Sequence, residues 1–373
     1  MFIKTLETEN IRLLKKLKIE NTDKINYILG RNAQGKSTVL EAIYILCTSK
    51  SNRTFKDREF ITFGEEISVI NADIEREKRP DINLRIVTDR NHRKAYFADN
   101  AKKNRIGEGI GELNSVIFSA ADIEMIKGDP VSRRNYINLE ISQIFPAYIQ
   151  NYANYKKTLT QRNNILKDIK NNIRKSYDLL DVLDIQLSIW GAELITKRRE
   201  FTEKINLHSK EIYNITSDEN SGFDIKYLSN PYNEAWDKNS VRENIMAHLK
   251  EKRDTDIKMG TTVTGPHRDD ISIKINNYPV KYYGSGGEMR SAAFALKMAE
   301  IEIIKEVWEE YPIVLLDDLM SELDINRREK AVEIAKKNCQ VFITTTHLDN
   351  ISYNKEETSL YYLEKGKLAG EEL

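Results

Sequence analysis

Gly30-Arg31-Asn32-Ala33-Gln34-Gly35-Lys36-Ser37, followed by Thr38, has the spacing G-x-x-x-x-G-K-S/T, in which backbone N–H groups wrap around phosphate oxygens. The glycines let the chain approach the anion closely, and the helix that follows presents its positive N-terminal end to the same group. Lys36 supplies a mobile cation for β and γ phosphates, and Ser37 can ligate Mg²⁺. A chance glycine-rich loop would not need the flanking elements found here, a buried strand before it and an amphipathic helix after it.

A second chemical group lies far along the chain. Ile313-Val-Leu-Leu reads as a buried strand that ends in Asp317 and Asp318. Asp317 would hold the Mg²⁺ shell opposite Ser37, and Asp318 would polarise the attacking water, which is the positioning work of phosphoryl transfer. Taken alone, the two aspartates read equally as helix caps. Between loop and carboxylates stands Gly284-Ser285-Gly286-Gly287-Glu288 at the start of a predicted helix, a second place where amides could receive an anion. Two anion-receptive devices with one metal-ligating pair make sense if each chain caps the other's ATP.

The elements needed to position these residues are legible in outline. Phe2–Leu6, Leu17–Ile19 and Ile25–Leu29 read as strands, and Lys36–Leu46 as a helix with Val39, Leu40, Ile43 and Leu46 on one face. Alternation from Ile67 to Phe97 predicts an antiparallel meander, with the β-rich part ending near Phe118. From Pro130 to Lys258 helix formers dominate. Tyr148–Ile215 reads as two long helices meeting near Lys175–Asp178, either a short coiled-coil arm or two core helices of a bundle. Strand texture returns at Ile271. A helix Glu288–Glu309, the strand Ile313–Leu316, a helix Ile325–Lys337 and the strand Val341–Thr345 follow, an order that predicts a parallel sheet. The domain reading is 1–128 plus 263–373 for an α/β lobe, with 129–262 as an inserted helical lobe.

Composition narrows the class. Fifty-eight Lys and Arg balance 58 Asp and Glu, so any polyanion must be met by a local patch rather than by net charge. Lys102, Lys103 and Arg105, or Arg198 and Arg199, are candidate patches, although such runs are usually solvated faces. No apolar run is long enough to span a bilayer. Lys4, Glu7 and Glu9 interrupt what a secretory signal would require, so the expectation is a cytoplasmic protein. Only Cys47 and Cys339 are present, with no metal-ligand spacing.

Ser285-Gly-Gly-Glu288 resembles the signature motif of ABC ATPases, Ser321-Glu-Leu-Asp324 resembles their D-loop, and Thr346-His347 is similar to their switch histidine, although His347 alone would also pass as a plain strand-end residue. The resemblance implies an ABC-type ATPase head with a P-loop and mixed sheet. It also implies an ATP-dependent homodimer sandwiching two nucleotides, with Asp324 and the Ser285–Gly287 amides joining the nucleotide site. Transporter ATPase subunits are shorter, and chromosome-organising ABC proteins separate their motifs by far more than the roughly 280 residues between Lys36 and Asp317. These features leave a transporter subunit and an ATP-glued chromosome-tethering protein as the rivals. Asn10-Ile-Arg12, Leu40-Glu-Ala-Ile-Tyr44, Ser51-Asn-Arg-Thr54, Gly128-Asp-Pro-Val-Ser-Arg133-Arg134 and Gly265-Pro-His-Arg-Asp-Asp270 together resemble the RecF family. Arg31 and Ala33 depart from the usual Asn-Gly-x-Gly-Lys form, and Glu288 stands where glutamine is common. The family resemblance implies Arg12 near the nucleotide, slow DNA-dependent ATP hydrolysis, and binding of duplex DNA at single-/double-strand junctions. It further implies a partner called RecR, and a role in DNA damage repair, the SOS response and replication restart, where RecA is loaded onto gaps coated by single-strand-binding protein.

Overall fold

The computed structural model describes residues 1–369 except 21, 55, 92, 174–175, 218–221, 319–324 and 349–353. In chain order, β1 (Phe2–Ile11), β2 (Leu14–Ile19) and β3 (Ile25–Leu29) lead into α1 (Lys36–Thr48). Then come β4 (Ile67–Glu75), β5 (Ile82–Asp89), β6 (Lys94–Ala98), β7 (Ala101–Lys102) and β8 (Ser115–Phe118). The helices α2 (Ile123–Lys127), α3 (Pro130–Ile144), α4 (Pro146–Lys170) and α5 (Asp178–Ser217) precede β9 (Phe223–Leu228), α6 (Lys238–Glu251) and α7 (Arg253–Met259). After β10 (Asp270–Ile275), β11 (Tyr278–Pro279) and α8 (Val280–Tyr283), the chain closes with α9 (Gly286–Trp308), β12 (Ile313–Leu316), α10 (Ile325–Lys336), β13 (Val341–Thr345), β14 (Thr358–Glu364) and β15 (Lys367–Leu368).

The chain divides into two compact units. The first comprises residues 1–123, 208–221 and 284–373 and holds two six-stranded sheets, β2-β1-β4-β5-β6-β7 and β15-β14-β3-β13-β12-β8. The former is an antiparallel meander, as the alternating burial of Ile82–Asp89 and its neighbours requires. In the latter, β14, β3, β13, β12 and β8 run parallel, and β3, β12 and β13 are buried at every position. Continuous apolar runs are what a doubly covered parallel sheet needs. The helix α1 touches strands of both sheets and is buried from Thr38 to Thr48. These are the α/β architecture and mixed sheet of an ABC-type ATPase head.

The second unit comprises residues 124–207 and 222–283. It contains α3 to α7 and the small antiparallel sheet β11-β10-β9, with a core that includes Leu166, Ile169 and Leu180. The sequence texture grouped residues 263–283 with the first lobe, whereas β10 pairs along its length with β9 and so belongs to the second unit. Conversely, residues 208–217, the end of α5, fall in the first unit, where His208 Nε2 lies 2.8 Å from Glu306 Oε1. The two long helices expected over Tyr148–Ile215 are α4, which ends at Lys170, and α5, which begins at Asp178. Among the described residues no helix is long and apolar enough to cross a membrane.

Candidate nucleotide-binding site

β3 is buried to its last residue, and the chain turns from Leu29 through residues 30–35 straight into α1. Gly30 has φ +151°, and a Cβ there would lie 2.4 Å from the Leu363 carbonyl oxygen, so only glycine lets the loop begin this close to β14. Gly35, the residue before α1, supplies no side-chain cap. With no N-cap side-chain bond and no acidic residue in its first turn, the positive end of α1 is suited to phosphate. Lys36 Nζ folds back to donate to the carbonyl oxygens of Gly30 (2.7 Å) and Arg31 (2.9 Å). Burial holds this ammonium below the usual lysine value, and the carboxylates of Asp318 and Asp317 pull it the other way. The phosphate-loop cation and both aspartates thus share one electrostatic neighbourhood.

Arg31, Asn32 and Ala33 are exposed, Gln34 and Ser37 are half-buried, and Thr38 is buried. Ala33 sits at φ +62°, the left-handed region that glycine adopts freely, which is the physical cost of its departure from the family form. Gln34 is gripped from behind. Its carbonyl oxygen accepts the Gly366 N–H at 3.1 Å, and its side-chain Oε1 accepts the Lys365 N–H. A Cβ on Gly366, at φ +77°, would lie 2.3 Å from the Leu13 carbonyl oxygen. The β14–β15 turn is therefore wedged between the phosphate loop and the β1–β2 turn.

The carboxylates follow β12, which is parallel to β13. Asp317 N–H donates to the Phe118 carbonyl (2.9 Å), and Asp318 takes φ +50°. The Thr344 hydroxyl donates to Asp317 Oδ1 and accepts the Asp318 N–H, each at 2.8 Å. At the end of β13, Thr345 Oγ1 donates to the carbonyl of His347 (2.8 Å), an exposed residue. Among the described residues no cluster of three His, Cys, Asp or Glu could hold a metal by itself. Mg²⁺ bound with a nucleotide is commonly held by one or two protein oxygens plus substrate phosphates. Ser37 and Asp317 are the residues that would hold it, and it would supply charge neutralisation on the phosphates.

Ser285 caps α9 in a reciprocal box. Its Oγ accepts the Glu288 N–H at 3.2 Å, while Glu288 Oε2 accepts the Ser285 N–H at 2.8 Å. Ser285 and Gly286 are exposed, Gly287 is half-buried, and nothing lies within 4 Å of where a Gly286 Cβ would be. Asp324, with the rest of Ser321–Asp324, lies outside the described residues.

Arg12 is held away from free solvent chemistry by Glu41, a fully buried carboxylate of α1. Its Nε donates to Glu41 Oε2 (2.6 Å) and its Nη2 to Oε1 (2.8 Å), and this pairing keeps the guanidinium pKa raised. Ser51 Oγ donates to the same carboxylate, and Arg53 Nη1 lies 3.5 Å from it. Three of the motifs that resemble the family therefore converge on Glu41, whose role the motif spacing alone does not show. Thr344 and the Lys365–Gly366 turn went unread as well. A hydroxyl inside a buried strand, flanked by an Asp-Asp strand end elsewhere, was the available signal for Thr344; the turn had none.

The candidate basic patches resolve differently. Lys102 and Arg105 are exposed and Lys103 is half-buried. Arg198 is no surface residue, because it is buried beside Asp269 at 2.8 Å, and Arg199 pairs with Glu203 at 2.8 Å. Arg133 is bound bidentately to Asp270 (2.6 and 2.9 Å), and Arg134 Nη1 donates to the Asp269 carbonyl (2.6 Å).

Comparison with known proteins agrees with this architecture. The chain matches the RecF/RecN/SMC N terminal domain family over residues 2–368. It is 36% identical to the DNA replication and repair protein RecF of Clostridium perfringens over 99% of both chains. To the protein of that name from Bacillus cereus it is 35% identical, over 95% of this chain and 94% of the relative. A solved structure of the recombination mediator protein RecF with ATP in the RecFOR pathway superposes with a TM-score of 0.89 at 34% identity, covering 99% of this chain and 98% of the other. An Smc head bound to part of ScpA shares the fold at a TM-score of 0.54 and 17% identity, covering 99% and 98%. With a phosphate loop, paired carboxylates and a capped signature helix in one α/β unit, and with relatives matching end to end, the chain belongs to the RecF family.

Proposed function

We propose that this chain is an ATP-operated recombination mediator acting in DNA replication and repair. ATP with Mg²⁺ binds at the loop 30–38, Asp317 completes the metal shell, and Asp318 with His347 aligns the attacking water. The Ser285–Gly287 end of α9 closes over the nucleotide of a second chain. Two heads joined this way clamp duplex DNA at single-/double-strand junctions, and slow hydrolysis reopens them. RecR is the expected partner, and RecA loading on gaps covered by single-strand-binding protein is the expected outcome.

One observation carries the reading. A single unit holds a phosphate loop and a separate, solvent-open helix N-terminus at Ser285–Gly286. An exposed helix start that follows a phosphate loop in the same unit has a purpose if it receives an anion bound to another chain. The names of the relatives supply the DNA side of the proposal, and the exposed Lys102 and Arg105 are candidates for phosphate contact.

Retention of a gapped DNA duplex by wild type and by Lys36→Ala, with ATP and without nucleotide, tests the proposal. Retention only by ATP-loaded wild type is expected. Equal retention by all four samples would overturn the ATP-operated clamp.

A further inference from the structure

We propose that Thr344 is the positioning residue of the hydrolytic centre, fixing the Asp317 carboxylate and the Asp318 backbone together through one hydroxyl. The inference rests on the function proposed above and concerns how this chain prepares that site.

β13 lies between β3, which carries the phosphate loop, and β12, which delivers the two aspartates. Pairing of Leu316 with Ile343 and of Ile28 with Thr344 sets Thr344 one residue past the end of β12 and beside the last turns of β3. Its side chain is 1% exposed, so its hydroxyl must find partners inside the protein. A hydroxyl has one hydrogen to give. Here that hydrogen goes to Asp317 Oδ1, and a lone pair receives the Asp318 N–H, both at 2.8 Å. The direction of both bonds is therefore set, and a valine, similar in shape but without the hydroxyl, can make neither.

Each bond has a consequence. The first commits one oxygen of Asp317 and fixes the plane of its carboxylate, so the group meets a cation without reorganising. The second anchors the backbone N–H of Asp318 at φ +50°, a left-handed conformation that aspartate adopts more readily than most non-glycine residues and that this bond supports. The turn decides where the Asp318 side chain leaves the backbone. Since Thr345 and His347 follow on the same strand end, any movement of that end is transmitted to both aspartates through Thr344.

The test compares wild type, Thr344→Ser and Thr344→Val as full-length chains. Three quantities are read: amide exchange at Asp318 without nucleotide, ATP affinity with and without Mg²⁺, and steady-state hydrolysis. The Val variant is expected to lose Asp318 amide protection and the tightening of ATP binding by Mg²⁺. Its turnover should fall roughly tenfold to a hundredfold, as expected for misplaced reacting groups. Metal-free ATP affinity should stay near wild type, showing an intact phosphate loop, and Thr344→Ser should restore all three quantities. A Val variant with wild-type Mg²⁺ dependence and turnover would overturn the role of Thr344. So would a loss of metal-free ATP affinity that Ser does not rescue. A wild type that binds no ATP would instead sink the proposed function.

Discussion

Glu288 sets two demands of the signature helix against each other. Its carboxylate completes the capping box with Ser285, a feature that stabilises a helix start by about 1 kcal/mol. The same carboxylate puts a negative charge at the helix end that is proposed to receive a partner's phosphate. Glu288→Gln keeps the box geometry and removes the charge. It should tighten ATP-dependent association by about 1 kcal/mol, roughly fivefold, as read by titrating chain concentration at saturating ATP; weaker association would show that the charge is not near the phosphate. Asp318 raises a related question of reach. It is one methylene shorter than the glutamate usual in transporters, so water alignment by it should be poor and turnover slow. Asp318→Glu should change turnover while leaving ATP binding normal, and an unchanged rate would remove the argument.

At the scale of elements, the phosphate loop depends on a turn more than 300 residues away. Gly366 brings the β14–β15 turn against Leu13 and Gln34 with no room for a side chain. Gly366→Ala should therefore cost about 2 kcal/mol in denaturant unfolding and weaken ATP binding with it; a stability loss that spares ATP binding would separate the turn from the loop. This dependence also shows where the sequence was readable. β3, β12 and β13 are unbroken apolar runs ending at chemically distinctive residues, and α1 and α9 follow glycine-rich starts, so pattern alone located them. β9, Phe223–Leu228, sits in a stretch of helix formers, and its identity comes from β10, far along the chain. β14, Thr358–Glu364, is mixed in polarity and is made a strand by pairing with β3. Likewise the motif spacings single out Lys36, Asp317 and Ser285 as candidates, whereas Thr344 acquires meaning only through the register that sets it beside β12.

At the scale of the whole molecule, the second unit buries ion pairs whose partners cannot be removed singly without leaving a charge uncompensated. Arg198 donates to Asp269 and to the Pro266 carbonyl (2.8 and 2.6 Å), and burial raises the Asp269 pKa even though Arg198 opposes it. Arg198→Ala would leave that carboxylate buried without its cation and should cost about 3–5 kcal/mol in unfolding free energy. A loss below about 1 kcal/mol would mean the network relaxes. His267 adds a pH dependence. Its Nε2 contacts the Thr262 carbonyl and its Nδ1 the Tyr155 hydroxyl, and burial lowers its pKa to about 4. The folded imidazole stays neutral while the unfolded one gains a proton below its ordinary value of about 6.5. Its contribution is thus full above that value and is lost as pH falls toward 4, by about 3 kcal/mol; His267→Gln should flatten the stability profile in that window by about one proton. Light scattering with Mg²⁺ and ATP on wild type and Ser285→Arg shows whether Ser285 serves the nucleotide of another chain. Wild type is expected to move from the mass of one chain to that of two, while Ser285→Arg binds ATP normally and remains at one. Dimerisation of the variant like wild type, or loss of its own ATP binding, would contradict that role.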